Sequence, residues 1–107
     1  MGCEVEELFL TPGSHNIIVD LTNPVLNSSC SSEYVIYWEH ALSGSNDSRS
    51  VSCNEDYYEI IGLDACVEYV VTVTTMNETN EIMPLATGNT TTETVGNYHT
   101  EIILLYL

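Results

Sequence analysis

The chain has 107 residues, the size of one domain with a core of modest depth. Its hydrophobic content of 44% suits a globular protein, but 16 acidic residues face a single basic one, Arg49, for a formal net charge of −15. Nucleic acids, anionic membrane surfaces and lysine-dependent phosphate loops are excluded, because each needs cations that this chain does not carry. The apolar runs fall far short of the roughly 20 residues a membrane-spanning helix requires, so no direct membrane insertion is expected. Met1-Gly2-Cys3-Glu4 has neither the basic nor the apolar region of a signal peptide, and Glu6 stands where a myristoylation signal has Ser or Thr. We expect the chain to be a piece of a longer protein.

Residues 4–10 are expected to form the first strand, followed by a turn at Thr11-Pro12-Gly13-Ser14. In the second strand, residues 16–22, Ile17, Val19 and Leu21 share an apolar face, and Asn23-Pro24 closes it. A polar stretch, residues 27–32, leads into a third strand over 33–39 with Tyr34, Ile36 and Trp38 on one face. A flexible loop is expected at 43–48, a short edge strand at 50–52, and a strand at 57–61 ended by Gly62. The strongest strand signal is 67–76, where Tyr69, Val71, Val73 and Thr75 align. Residues 77–85, with Pro84, read as a loop, and the Thr-rich 87–95 as the last strand. Seven strands with turn signals every 8–12 residues and no helix predict an all-β, seven-stranded antiparallel sandwich spanning residues 1–95. Residues 96–107 read as a tail or the first strand of a following domain. The tail's apolar run, 102–107, is a sticky edge suited to self-association by strand addition.

Four cysteines, Cys3, Cys30, Cys53 and Cys66, show no CxxC pair and no His at metal spacing, which argues for disulfides over zinc. Four N-x-S/T sequons, at Asn27, Asn46, Asn77 and Asn89, fall in segments read as loops or strand edges. Together these features point to an oxidising, extracellular or cell-surface location.

The stretch Tyr57-Tyr-Glu-Ile-Ile-Gly62-Leu63-Asp-Ala-Cys66-Val-Glu-Tyr69-Val-Val-Thr-Val-Thr resembles a fibronectin type III domain. That family ends a strand in Gly-Leu and follows it, after a short loop, with Tyr and an alternating Val/Thr strand. Residues 33–39 are similar to its third strand, and 17–24 to its second. The chain departs from the pattern at Leu21, where the family usually places Trp; the single tryptophan is Trp38. The resemblance implies an immunoglobulin-like sandwich with a tyrosine corner at Leu63 and Tyr69, in which the phenol packs in the core and its hydroxyl bonds upstream backbone. An immunoglobulin domain itself needs Cys two residues after the Tyr and another on the second strand; position 71 is Val, and 17–21 has none. On the fibronectin frame, Cys30 and Cys53 sit in loops at one end of the sandwich, and a bridge between them closes a loop of about 22 residues, for about 3 kcal/mol in the chain-entropy picture. Cys66 falls at the opposite end, its reach to Cys3 is doubtful, and the other connectivities stay open.

No catalytic constellation emerges. His15, His40 and His99 are scattered, no G-x-S-x-G is present, and Glu6-Glu7 and Glu55-Asp56 read as solvated acids. Asn54-Glu55-Asp56 offers oxygen ligands without any EF-hand spacing. Neither a cofactor nor a metal is expected. Tyr34, Trp38, Tyr58 and Tyr69 read as core, with Tyr37 and Tyr57 outward. The resemblance implies a non-enzymatic, extracellular interaction or adhesion module of a glycosylated cell-surface receptor, similar to ectodomains of receptor-type tyrosine phosphatases and adhesion receptors. A protein partner of basic character is expected, with loops 23–33 and 76–87 as contacts. The alternative is a passive spacer or an accessory domain of a larger secreted protein, with glycans at Asn27, Asn77 and Asn89 crowding the loop end.

Overall fold

The computed structural model describes residues 6–23, 30, 32–76 and 82–94. These residues form eight strand segments: β1 (Glu6–Glu7), β2 (Leu10–Pro12), β3 (Ile17–Asp20), β4 (Glu33–His40), β5 (Asn46–Ser52), β6 (Tyr57–Ile60), β7 (Glu68–Met76) and β8 (Ile82–Thr91). One sheet has the order β1-β8-β7-β4-β5 and the other β2-β3-β6. With β1 and β2 counted as two pieces of one strand, the expected seven-stranded sandwich results, three strands facing four.

The first strand is displaced from residues 4–10 because it changes sheets. The Leu8 N–H donates to Thr87 O at 3.1 Å on one sheet, and one residue later Phe9 O accepts from the Asp20 N–H at 3.1 Å on the other. Leu8 is buried at this crossing, while Phe9 is 79% exposed. Gly88 gives the crossing its close approach: a Cβ there would lie 3.3 Å from Leu8 Cβ and 3.4 Å from Leu8 O, a tight fit. β2 then runs through Thr11 and Pro12, which the turn signal had claimed.

Period-2 alternation fills the core as expected. Ile17, Val19 and Leu21 face Tyr34, Ile36, Val71 and Val73 across the sandwich, and all seven are fully buried. Trp38, 9% exposed, lies with its ring centroid 6.3 Å from that of Tyr58 on the opposite sheet. The bridging indole thus comes from β4, and Leu21 occupies the second-strand position.

Two strands are longer than their sequence suggests. β5 begins at Asn46, inside the expected loop, because all seven of its residues pair with β4 despite their polarity. β8 begins at Ile82, so Pro84 lies in a strand and not in a loop. The register passes from Val73↔Ala86 to Thr74↔Pro84, leaving Leu85 as an extra residue. A bulge of this kind accommodates a residue that has no N–H to donate. The last strand ends at Thr91, short of the expected residue 95.

Candidate interaction surface

The turn between β6 and β7 is bonded from several sides. Tyr69, 4% exposed, accepts the Asp64 backbone N–H on its hydroxyl oxygen at 2.9 Å. Thr92 Oγ1 donates to Asp64 O at 2.7 Å and accepts the Val67 N–H at 3.0 Å. The Leu63 N–H donates to His15 O at 3.0 Å, and His15 Nδ1 donates back to Leu63 O at 2.8 Å. Gly62 (φ 74°) and Cys66 (φ 59°) supply the left-handed conformations that reverse the chain. Side chains from three other segments, those of Tyr69, Thr92 and His15, bond the backbone of this partly buried corner.

Sequence reasoning missed the cluster beside this corner. The β4–β7 register places His40 opposite Tyr69, with the two rings edge to face at 5.3 Å. His40 Nδ1 accepts the Ser43 N–H at 3.1 Å, which puts the neutral ring's proton on Nε2, 3.2 Å from Asp64 Oδ2. Both ring nitrogens are therefore committed to structure. Ser43 Oγ donates to Ser45 Oγ at 3.1 Å. Trp38, His40, Ser43, Asp47, Asp64 and Tyr69 border an open cleft of about 330 Å³ with the chemistry of a braced loop end. No local signal links His40 to Asp64; only the register and the tyrosine corner join them.

The outer face of β2-β3-β6 carries a different surface. With Ile17, Val19 and Ile60 turned inward, Ile18, Asp20, Tyr57 and Glu59 turn outward. The register sets Ile18 between Thr11 and Glu59, and Asp20 opposite Tyr57. With Thr22 and Asp56 they line a shallow groove of about 460 Å³. Asp20 Oδ1 is held by the Thr22 N–H at 2.8 Å and Thr22 Oγ1 at 2.6 Å, while Glu59 Oε2 accepts from Asn16 Nδ2 at 2.8 Å. Two of the three carboxylates are thus positioned by neighbours. The chain's one basic residue, Arg49, lies on the other sheet and bonds Asp47 at 3.3 Å.

Cys30 and Cys53 are joined by a disulfide with Cα atoms 5.9 Å apart, beside a backbone bond from the Cys53 N–H to Ser32 O. Cys66 is a free, exposed thiol. Asn46 opens β5, exposed, with its amide donating to Gly44 O at 3.1 Å. Asn89 lies inside β8, not in a loop, and bonds Glu68. The register pairs Asn89 with Val70, near the start of β7. Cys3, Asn27, Asn77, His99 and residues 96–107 lie outside the described residues, as do most positions of loop 23–33 and residues 77–81 of loop 76–87. Tyr37 and Tyr57 both face outward as expected; Tyr57 is exposed, and Tyr37 is half-buried and donates to Glu39 Oε1 at 3.4 Å. Loss of solvent raises the Tyr37 phenol pKa, and the charge and hydrogen bond of Glu39 raise it further. Burial alone raises that of Tyr34. Among the described residues, no three His, Cys, Asp or Glu side chains converge as a metal site.

No protein-family profile and no curated protein sequence matches this chain. Solved structures do match. The FN3 domain of human collagen XX superposes with a TM-score of 0.68 at 22% identity, covering 81% of this chain and 88% of that one. A two-domain fibronectin type III segment of chicken tenascin gives 0.67 at 18% identity, covering 81% of this chain, which spans 47% of that segment. The FN1–FN3 segment of chicken contactin gives 0.65 at 19% identity, with 84% and 32% covered. Likeness at these identities speaks to architecture, and with the three-on-four sheets and the Tyr69 corner it establishes that this chain has the fibronectin type III fold.

Proposed function

We propose that this domain is a non-enzymatic, extracellular protein-interaction module of a glycosylated cell-surface receptor or adhesion protein, and that it recognises a basic partner. Its structural relatives are domains of a collagen, of tenascin and of contactin, and the Cys30–Cys53 disulfide suits an oxidising compartment. The observation that carries the partner's chemistry is the groove on β2-β3-β6. It combines Asp20, Asp56 and Glu59 with the exposed ring of Tyr57 and the side chain of Ile18, and the chain's one arginine, Arg49, lies on the other sheet. An extended Lys/Arg-bearing segment would lay its aliphatic stems on Tyr57 and Ile18 and place its charges against the rim. At an exposed rim each pairing contributes about 0.5–1 kcal/mol, so binding is weak per contact and falls with salt.

The test is a titration of the isotopically labelled domain with an arginine-rich hexapeptide, followed by amide chemical shifts. Shifts should concentrate at residues 18–20 and 56–59, fade in high salt, and weaken in the Asp20→Asn/Glu59→Gln variant. Shifts spread evenly over all acidic residues, or none at all, would refute the groove and favour the passive spacer.

A further inference from the structure

The outer face of the β8-β7-β4-β5 sheet is built unlike the rest of this acidic chain. Its strand register sets one row of side chains across all four strands: Asn46, Glu39, Val70 and Asn89. The next row is Ser48, Tyr37, Thr72 and Thr87. The first row begins and ends in the acceptor asparagines of two sequons, Asn46-Asp47-Ser48 and Asn89-Thr90-Thr91. Residues directly opposite in a ladder project to the same side, and three strand spacings amount to about 14 Å. Both asparagines are exposed. Between them lie Val70, 38% exposed, and the half-buried ring of Tyr37, the apolar centre of this face.

We infer that Asn46 and Asn89 form a paired N-glycosylation site whose two glycans cover this face and leave the acidic groove on the opposite sheet as the open surface. The inference rests on the extracellular reading above and deepens it. Two features favour the pairing. Among the described residues β5 is the edge strand of its sheet, six of its seven residues are polar and none is proline, so a bulky glycan on its first residue obstructs strand addition by another chain. Residues 10–20 and 57–60, which build the groove sheet, contain no sequon. Of the sequons among the described residues, both place their asparagines on the β8-β7-β4-β5 side of the sandwich and neither on the groove sheet.

The test uses the full chain secreted from mammalian cells, glycopeptide mapping, and hydroxyl-radical footprinting of Tyr37 and Tyr57. The comparison is the Ser48→Ala/Thr91→Val variant, which keeps both asparagines but destroys both sequons. If this variant does not fold, deglycosylation of the folded wild-type protein supplies the same comparison. Both sites should be occupied, and Tyr37 labelling should rise severalfold when the glycans are gone while Tyr57 labelling stays constant. Either asparagine unmodified in protein whose Cys30–Cys53 bond is formed overturns the pairing and spares the extracellular reading. Full occupancy with unchanged Tyr37 labelling overturns the shielding. Free thiols at Cys30 and Cys53 together with no glycan anywhere remove the extracellular reading itself.

Discussion

Replacing Tyr69 by Phe deletes one oxygen and leaves the ring in the core. That oxygen accepts the Asp64 N–H at 2.9 Å in a side chain only 4% exposed. The net hydrogen bond is worth about 1 kcal/mol, and the orphaned amide adds a desolvation penalty of about 1–3 kcal/mol when no water reaches it. Asp64 lies at the surface of the corner, so relaxation recovers part of that penalty and the expected loss is about 1.5 kcal/mol. For a domain of this size, the loss lowers the Tm by about 6–10 °C. Urea unfolding followed by the fluorescence of Trp38, the only tryptophan and 9% exposed, measures it directly. The midpoint should fall with m unchanged. Thr92 holds the same corner from its other side, so Tyr69→Phe and Thr92→Val should be coupled by at least about 0.5 kcal/mol in a double-mutant cycle. A Tyr69→Phe loss below about 0.5 kcal/mol, or strict additivity with Thr92→Val, would refute the claim that the hydroxyl pins the turn.

Three further outcomes are expected. The Cys30→Ser/Cys53→Ser variant opens a loop spanning 23 residues and should lose about 3 kcal/mol in urea titration, with Cys66→Ser as the near-neutral control. Gly88→Val forces a branched side chain against Leu8 at the sheet crossing and should cost about 1–3 kcal/mol by thermal unfolding; a Tm equal to wild type would show that the crossing tolerates a side chain. Burial raises the Tyr34 phenol pKa above its ordinary 10.0, so the folded state holds that proton more tightly than the unfolded chain. The stability this contributes is complete below about pH 10 and is lost as pH rises through the folded value, which phenolate absorbance and circular dichroism recorded on one sample will show. Full ionisation of all seven tyrosines at ordinary pKa without unfolding would contradict it.

Alternation made the fold class legible in the chain, because a period of two with turn residues between runs permits little besides a sandwich. Alternation alone places Ile17, Val19, Leu21, Tyr34, Ile36, Trp38, Tyr69, Val71 and Val73 inside, and all are buried. The Gly62-Leu63…Tyr69 signature marked the corner because its residues are close in sequence. Strand limits were less legible where local composition opposed the pairing. The polar β5 is a strand because β4 offers it a full ladder, and Pro84 stays in β8 because Leu85 bulges beside it. The split first strand needed two partners, β8 and β3, far apart in the chain, and it passes from one to the other at Leu8 and Phe9.

The sequence by itself determined the −15 charge, the all-β alternation and the presence of sequons and cysteines, since these depend on residue type and spacing alone. Only the tertiary structure decided which of these features share a surface. The β-ladder joins residues tens of positions apart through backbone bonds that carry no side-chain signature. That is why His40 meets Asp64, why Asp20, Asp56 and Glu59 rim one groove, and why Asn46 and Asn89 end one row.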